Sequence, residues 1–178
     1  MLAAAASVFA AKGYDAATMT EIAAAAESSI GSLYQFFPTK DELAAALMRS
    51  QAEALWTGLA VLQADSATLP LEALSDRLCG TLVDFRAAHP SFAGLIDAPG
   101  APAVLAQEVR QQMRRQLAAI LVPHAAGVRK PRLLAIAAVV QQVMKSAVML
   151  NAEAPPMRNA ALAELRLMLR SYLATALG

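Results

Sequence analysis

Thr18-Met19-Thr20-Glu21-Ile22-Ala23-Ala24-Ala25-Ala26, then Ser29-Ile30-Gly31-Ser32-Leu33-Tyr34-Gln35-Phe36-Phe37-Pro38-Thr39-Lys40-Asp41-Glu42-Leu43, is the stretch that decides the fold. Thr18 and Glu21 are spaced as a capping box: the hydroxyl accepts from the amide three residues on, and the carboxylate reaches back. A short helix follows, with Ile22 and Ala26 toward the core. Glu27-Ser28-Ser29 breaks it, and Ser29 can cap a third helix, Ile30 to Phe37. Pro38 ends that helix, because the residue before a proline is pushed out of helical geometry. Thr39-Lys40-Asp41-Glu42 is a second capping box and opens a long fourth helix. Two short helices joined by a tight turn, ahead of a long one, make a helix-turn-helix.

Upstream, Leu2 to Lys12 reads as a first helix with Leu2, Ala5, Ala6 and Phe9 on its inner face, stopped by Gly13. Downstream, the fourth helix runs to about Ala64-Asp65-Ser66. A fifth spans Pro70 to Ala88. A short one surrounds Phe92 to Ile96, and Asp97 to Pro102 is a loop. Further helices are expected over Ala103 to Val122, Arg132 to Asn151, and from Pro155-Pro156 to Leu177. The fold class is therefore all-α, with a three-helix helix-turn-helix head at 1–46 and a helical domain at 47–178. Composition agrees. Hydrophobic residues make up 57% of the 178, much of it helix-favouring alanine, and aromatics only 5%.

The third helix suits insertion into a major groove, which admits one helix. Leu33 and Phe37 anchor one face. Gly31 and Ser32 on another are small enough for close backbone approach, and Ile30 suits a thymine methyl. Tyr34 offers a hydroxyl at phosphate reach, as does Lys40 an ammonium at a helix start, where free amides favour an anion. Thr18 stands at a similar helix start.

At these residues the sequence resembles the DNA-binding head of the TetR family of regulators. The pattern runs from Thr18, Ile22, Ala23 and Ala26 through Ser29, Gly31, Ser32, Leu33, Tyr34, Phe36 and Phe37 to Lys40, Asp41 and Leu43. Phe9-Ala10-x-Lys12-Gly13-Tyr14 is similar to that family's helix-one ending. The likeness covers about the first quarter of the chain. It implies a homodimer, double-stranded operator DNA as partner, and a small-molecule effector that releases it. DNA-facing residues are then Thr18, Ser29, Ile30, Gly31, Ser32, Tyr34, Gln35 and Lys40. Ile30, Gly31 and Ser32 face bases, and Thr18, Ser29, Tyr34 and Lys40 face phosphates.

The chain departs from the family at three places. Glu27-Ser28 stands where Gly-Val is more usual, Phe36 replaces a more frequent histidine or tyrosine, and no basic arm precedes the first helix. Residues 1–50 also carry Lys12, Lys40 and Arg49 against Asp15, Glu21, Glu27, Asp41 and Glu42. These features keep a second reading open: a helical ligand- or partner-binding protein of the same fold without DNA recognition.

In the larger domain, Ile136, Val140, Val143 and Ala147, with Leu162, Leu165, Leu169 and Tyr172, form two stripes at helical spacing. Two such helices and their two-fold mates would build a dimer interface, as the resemblance also implies. Each stripe could equally face only its own core. Trp56, Phe85, Phe92, Met113, Leu117, Met144 and Met149 are the candidate lining of a pocket for a hydrophobic or aromatic ligand. Each one taken alone is as well explained as core. Arg110, Arg114 and Arg115 read as solvated surface, and Cys79 as a buried thiol suited to a reducing cytoplasm. His89 and His124 belong to no metal-ligand cluster. No phosphate loop or nucleophile elbow is present. Neither an enzyme, a cofactor, a metal nor a membrane span is expected, and a net charge of +1 advertises no polyanion.

Overall fold

The computed structural model describes residues 1–150 and 153–178, apart from the side chains of 148 and 149. Among them every regular element is helical: α1 (Leu2–Ala16), α2 (Met19–Ala25), α3 (Ile30–Phe36), α4 (Lys40–Asp65), α5 (Leu71–Ala88), α6 (Pro90–Asp97), α7 (Ala103–Leu121), α8 (Lys130–Met149) and α9 (Pro155–Leu177), with a 3-10 turn at Val122–His124. Two compact units divide the chain. The first takes Met1–Ala54 and Arg86–Arg110, the second Leu55–Phe85 and Gln111–Gly178.

The first unit holds the helix-turn-helix. Thr18 caps α2 through the Glu21 amide, and Glu21 returns to the Thr18 amide at 3.1 Å, so the capping box is complete. Ser29 caps α3 through the Ser32 amide at 3.0 Å, and Thr39 takes the Glu42 amide at 3.1 Å at the start of α4. Gly13 has φ +76°, a left-handed conformation that breaks the helical path after Lys12, and a further turn continues to Ala16. Ile22 and Ala23 fill the inner side of α2, whereas Ala26 is only half-buried because the helix has already closed there. Phe9, Ile22, Leu33, Leu43, Leu47 and Met48 share one core with Leu95, Ala101 and Ala106. In that core α1 packs along α6. The chain after Asp97 comes so close that a Cβ on Gly100 would stand 2.7 Å from Asp15 Oδ1 and 3.2 Å from the Tyr14 ring.

In the second unit, Leu59, Leu62, Leu74, Leu78, Leu82 and Leu117 are among the fully buried side chains. Arg170 on α9 reaches back to α5, with its Nε on Asp76 at 2.7 Å, an Nη on the same carboxylate, and the other Nη on Glu72 at 2.7 Å. This two-pronged grip uses the planar fork of the guanidinium. His124 closes the 3-10 turn by placing Nε2 3.0 Å from the Ser66 carbonyl. Cys79 is fully buried, and burial pushes its thiol above the usual range, which disfavours the reactive thiolate. No helix among the described residues is long and apolar enough to cross a membrane.

Candidate nucleic-acid interface

The surface of α3 follows from one anchor. Leu33 is fully buried and Phe37 packs partly against the same core, which turns Gly31, Tyr34 and Gln35 outward. Ile30 is 40% exposed, Tyr34 48% and Phe36 67%, and Ser32 is half-buried. Ile30 and Tyr34, four residues apart, share one exposed side of this seven-residue helix, and Phe36 stands exposed on another.

The residues expected to face phosphate are differently placed. Lys40 gives its ammonium to three carbonyl oxygens at the end of α1, those of Tyr14 (3.0 Å), Asp15 (3.3 Å) and Ala17 (3.2 Å). An ammonium has three donors, so all three are matched inside the head. The same group lies 4.5 Å from the centre of the Tyr14 ring, and the Tyr14 hydroxyl donates to Asp41 next door in sequence to Lys40. Burial, then that hydrogen bond, raises the Tyr14 phenol well above its ordinary pKa.

Thr18 is also engaged, because its hydroxyl donates to Glu21 Oε2 at 3.0 Å while accepting from the Glu21 amide. One Glu21 oxygen thus takes both the amide and the hydroxyl of Thr18, and Lys12 pairs with its other oxygen at 2.5 Å. These bonds hold the Glu21 carboxyl below the usual carboxylate range. Ser29 accepts from the Ser32 amide and keeps its own hydroxyl proton to donate. The turn between α2 and α3 passes through Glu27 at φ +50°, the left-handed geometry that glycine adopts most cheaply.

In the second unit the large residues proposed as pocket lining are mostly interior. Met113, Leu117 and Met144 are buried, and Trp56 and Phe85 half-buried. Phe92 belongs to the first unit, where it is buried near the hydrogen-bonded pair Gln51 and Ser91. The Met149 side chain lies outside the described residues. A cleft of about 520 Å³ opens elsewhere, between the end of α7 and the start of α8, over Ala118, Ala119, Val128, Leu133 and Leu134. The sequence reading did not single out these residues, because helical periodicity marks Ala118 and Leu133 as core and says nothing of a gap between two helices.

Of the two stripes on α8 and α9, Ile136, Val140, Ala147 and Leu169 are buried within their own chain. Val143, Leu162, Leu165 and Tyr172 are half-buried, while Val139, Leu167 and Met168 stand exposed. The arginine run is less solvated than expected: Arg110 is half-buried and donates to the Ile96 carbonyl at 2.7 Å, and Arg114 buries its Nε.

Two family descriptions match the chain. "Bacterial regulatory proteins, tetR family" fits residues 1–47, and "Tetracyclin repressor-like, C-terminal domain" fits residues 70–173. No curated protein sequence matches. Among solved structures, a TetR transcriptional regulator from Legionella pneumophila superposes with a TM-score of 0.75 at 15% identity, covering 99% of this chain and 95% of that one. A TetR-family regulator from Streptomyces coelicolor gives 0.68 at 22%, covering 99% and 96%. The regulator FadR from Bacillus subtilis, in complex with stearoyl-CoA, gives 0.73 at 14%, covering 99% and 97%. With one description fitting the head and the other more than half of the chain, the protein belongs to the TetR family of bacterial regulatory proteins.

Proposed function

We propose that this protein is a ligand-responsive transcriptional regulator that grips double-stranded operator DNA with residues 1–46 and senses a small molecule through residues 47–178. The observation that carries the reading is α3 itself: a helix pinned by Leu33, with Ile30, Gly31, Tyr34 and Gln35 presented outward behind a complete capping box. Ile30, Gly31, Ser32 and Gln35 meet base edges, while Tyr34 and the free hydroxyl proton of Ser29 meet phosphates. Thr18 and Lys40 support the contact by holding the starts of α2 and α4. The regulator works as a repressor in the cytoplasm, and a hydrophobic or aromatic effector loosens its grip. The FadR neighbour in complex with stearoyl-CoA supports an effector with a long apolar portion for this fold.

A homodimer supplies two copies of α3 for half-sites one helical turn apart. The half-buried Val143, Leu162, Leu165 and Tyr172, with the exposed Val139 and Met168, form the surface on α8 and α9 that a two-fold mate would cover. The buried Ile136, Val140, Ala147 and Leu169 support it from beneath.

Lys12 and Lys40 favour a second reading, a regulator-like binding protein without DNA recognition, because both spend their charge inside the head. One experiment separates the two. Fluorescence anisotropy compares DNA from upstream of the protein's own gene with a scrambled duplex, for the wild type and a Tyr34→Ala, Gln35→Ala double variant, whose changes touch only exposed positions. Preferential binding by the wild type and its loss in the variant support the regulator. Equal binding to both duplexes, or none, favours the second reading.

A further inference from the structure

Between Gln111 and Leu150 the second unit carries Arg114, Arg115, Arg129, Lys130, Arg132 and Lys145 and not one aspartate or glutamate. This one-signed segment forms the second half of α7, the turn after it and all of α8. It encloses the cleft of about 520 Å³, a volume typical of small-molecule sites. Ala118 and Leu133 are buried at its floor, and Arg115 and Lys130 stand exposed at its mouth. A groove of about 330 Å³ shares Arg115 and Leu134 with the cleft and continues along the two helices past Arg114 and Ala138. Arg115 spends its Nε and one Nη on the neutral side chain of Gln112 and brings its full charge to the site.

An apolar trough with cations at its mouth and no acid on the segment that builds it has a definite complement. We infer that the cleft between α7 and α8 binds an amphipathic anion, an alkyl or aryl body bearing a carboxylate or similar head. The apolar body lies over Ala118, Ala119, Leu133 and Leu134, and the head sits between Arg115 and Lys130. Burial of the body supplies most of the affinity. The two cations select the charged form over a neutral one, since hydrogen bonds to ionised groups are about twice as strong as neutral ones. This deepens the effector-controlled reading by naming the effector's chemistry and its seat. It rests on that reading only for the consequence at DNA.

Isothermal titration of the full chain with decanoate, decanol and decyltrimethylammonium, one body with three head charges, tests it. The expected result is one decanoate per chain, with decanol about tenfold weaker or worse and the ammonium compound not bound. An Arg115→Glu, Lys130→Glu variant, changed only at exposed positions, loses decanoate by about tenfold or more with its thermal melt retained. Ala119→Phe, which fills the trough, loses decanoate and decanol alike. Should the charge reversal disturb the fold, Arg115→Gln, Lys130→Gln gives the same comparison more gently. Equal affinity for decanoate and decanol, unchanged decanoate binding after charge reversal, or binding to phosphatidylglycerol vesicles without binding of free decanoate would each overturn the inference. Decanoate bound in the cleft with no effect on DNA leaves the site standing and removes the effector role. Failure to bind decanoate alongside sound DNA binding removes the site and leaves the regulator.

Discussion

The ammonium of Lys40 donates to the carbonyl oxygen of Tyr14 at 3.0 Å and lies over that residue's ring, 4.5 Å from its centre. With two further carbonyls on the same nitrogen, Lys40 works as a cap for the end of α1. Lys40→Met should therefore destabilise the protein in the absence of any DNA, by about 1–3 kcal/mol, the usual cost of stripping a charged donor from part-buried acceptors. Urea unfolding measures it. An unchanged midpoint would return Lys40 to the role of a simple phosphate contact.

Tyr14 makes the same corner sensitive to alkali. Its phenol is raised by burial and by its bond to Asp41, so above a pH of about 10 the unfolded chain ionises there while the folded chain does not. The contribution to stability is complete below that pH and declines above it. Wild type should lose stability between about pH 10 and 11 more steeply than Tyr14→Phe. Parallel curves from thermal melts would contradict this.

The turn into α3 holds a non-glycine residue in left-handed geometry, Glu27 at φ +50°. Such a residue costs about 1–2 kcal/mol, partly offset by the greater freedom of glycine in the unfolded chain. Glu27→Gly is expected to raise stability by up to about 1 kcal/mol, read as a higher urea midpoint with an unchanged slope.

No lysine or arginine lies on α3, so the commonest guanine contact is unavailable to it. Gln35 suits adenine and the exposed Ile30 suits the thymine methyl. Duplexes selected from a random pool should carry A·T pairs beneath α3. Replacing thymine there by deoxyuridine, which deletes one methyl, should weaken binding by about fourfold. With Ile30→Ala the two duplexes should bind alike.

Val139 and Met168 leave apolar surface on α8 and α9 in water. If a second copy covers it, Val139→Glu with Met168→Glu should yield a folded monomer in sedimentation, because two buried, unpaired carboxylates per subunit are costly. A dimer surviving that change would move the interface elsewhere.

Local chemistry was legible in the sequence and distant chemistry was not. Thr18 and Glu21 are three residues apart, and their mutual cap is dictated by that spacing. Gly13 likewise announced the break after Lys12. The destination of Lys40 could not be read, because its partners lie 23 to 26 residues upstream and meet it only once α1 has docked. The sensor was harder to read for a different reason. The expected lining was sought among large residues, but large residues such as Leu117 and Met144 fill space. The cleft lies where the end of α7, with Ala118 and Ala119, parts from Leu133 and Leu134 of α8. Phe92 illustrates the same limit: periodicity shows that it is buried, not in which compact unit.

Binding to a duplex commonly draws on the entropy of counterions set free as lysine and arginine side chains replace them at phosphates, and that gain fades as salt is added. Here Lys12 is held by Glu21 and Lys40 by three backbone oxygens, so neither reaches a phosphate without giving up a bond at home. These two lysines add little to that gain, and the contact of α3 leans on hydroxyls, an amide side chain and apolar fit, which release few ions. Removing the charge of either lysine should then leave the salt dependence of operator binding nearly unchanged.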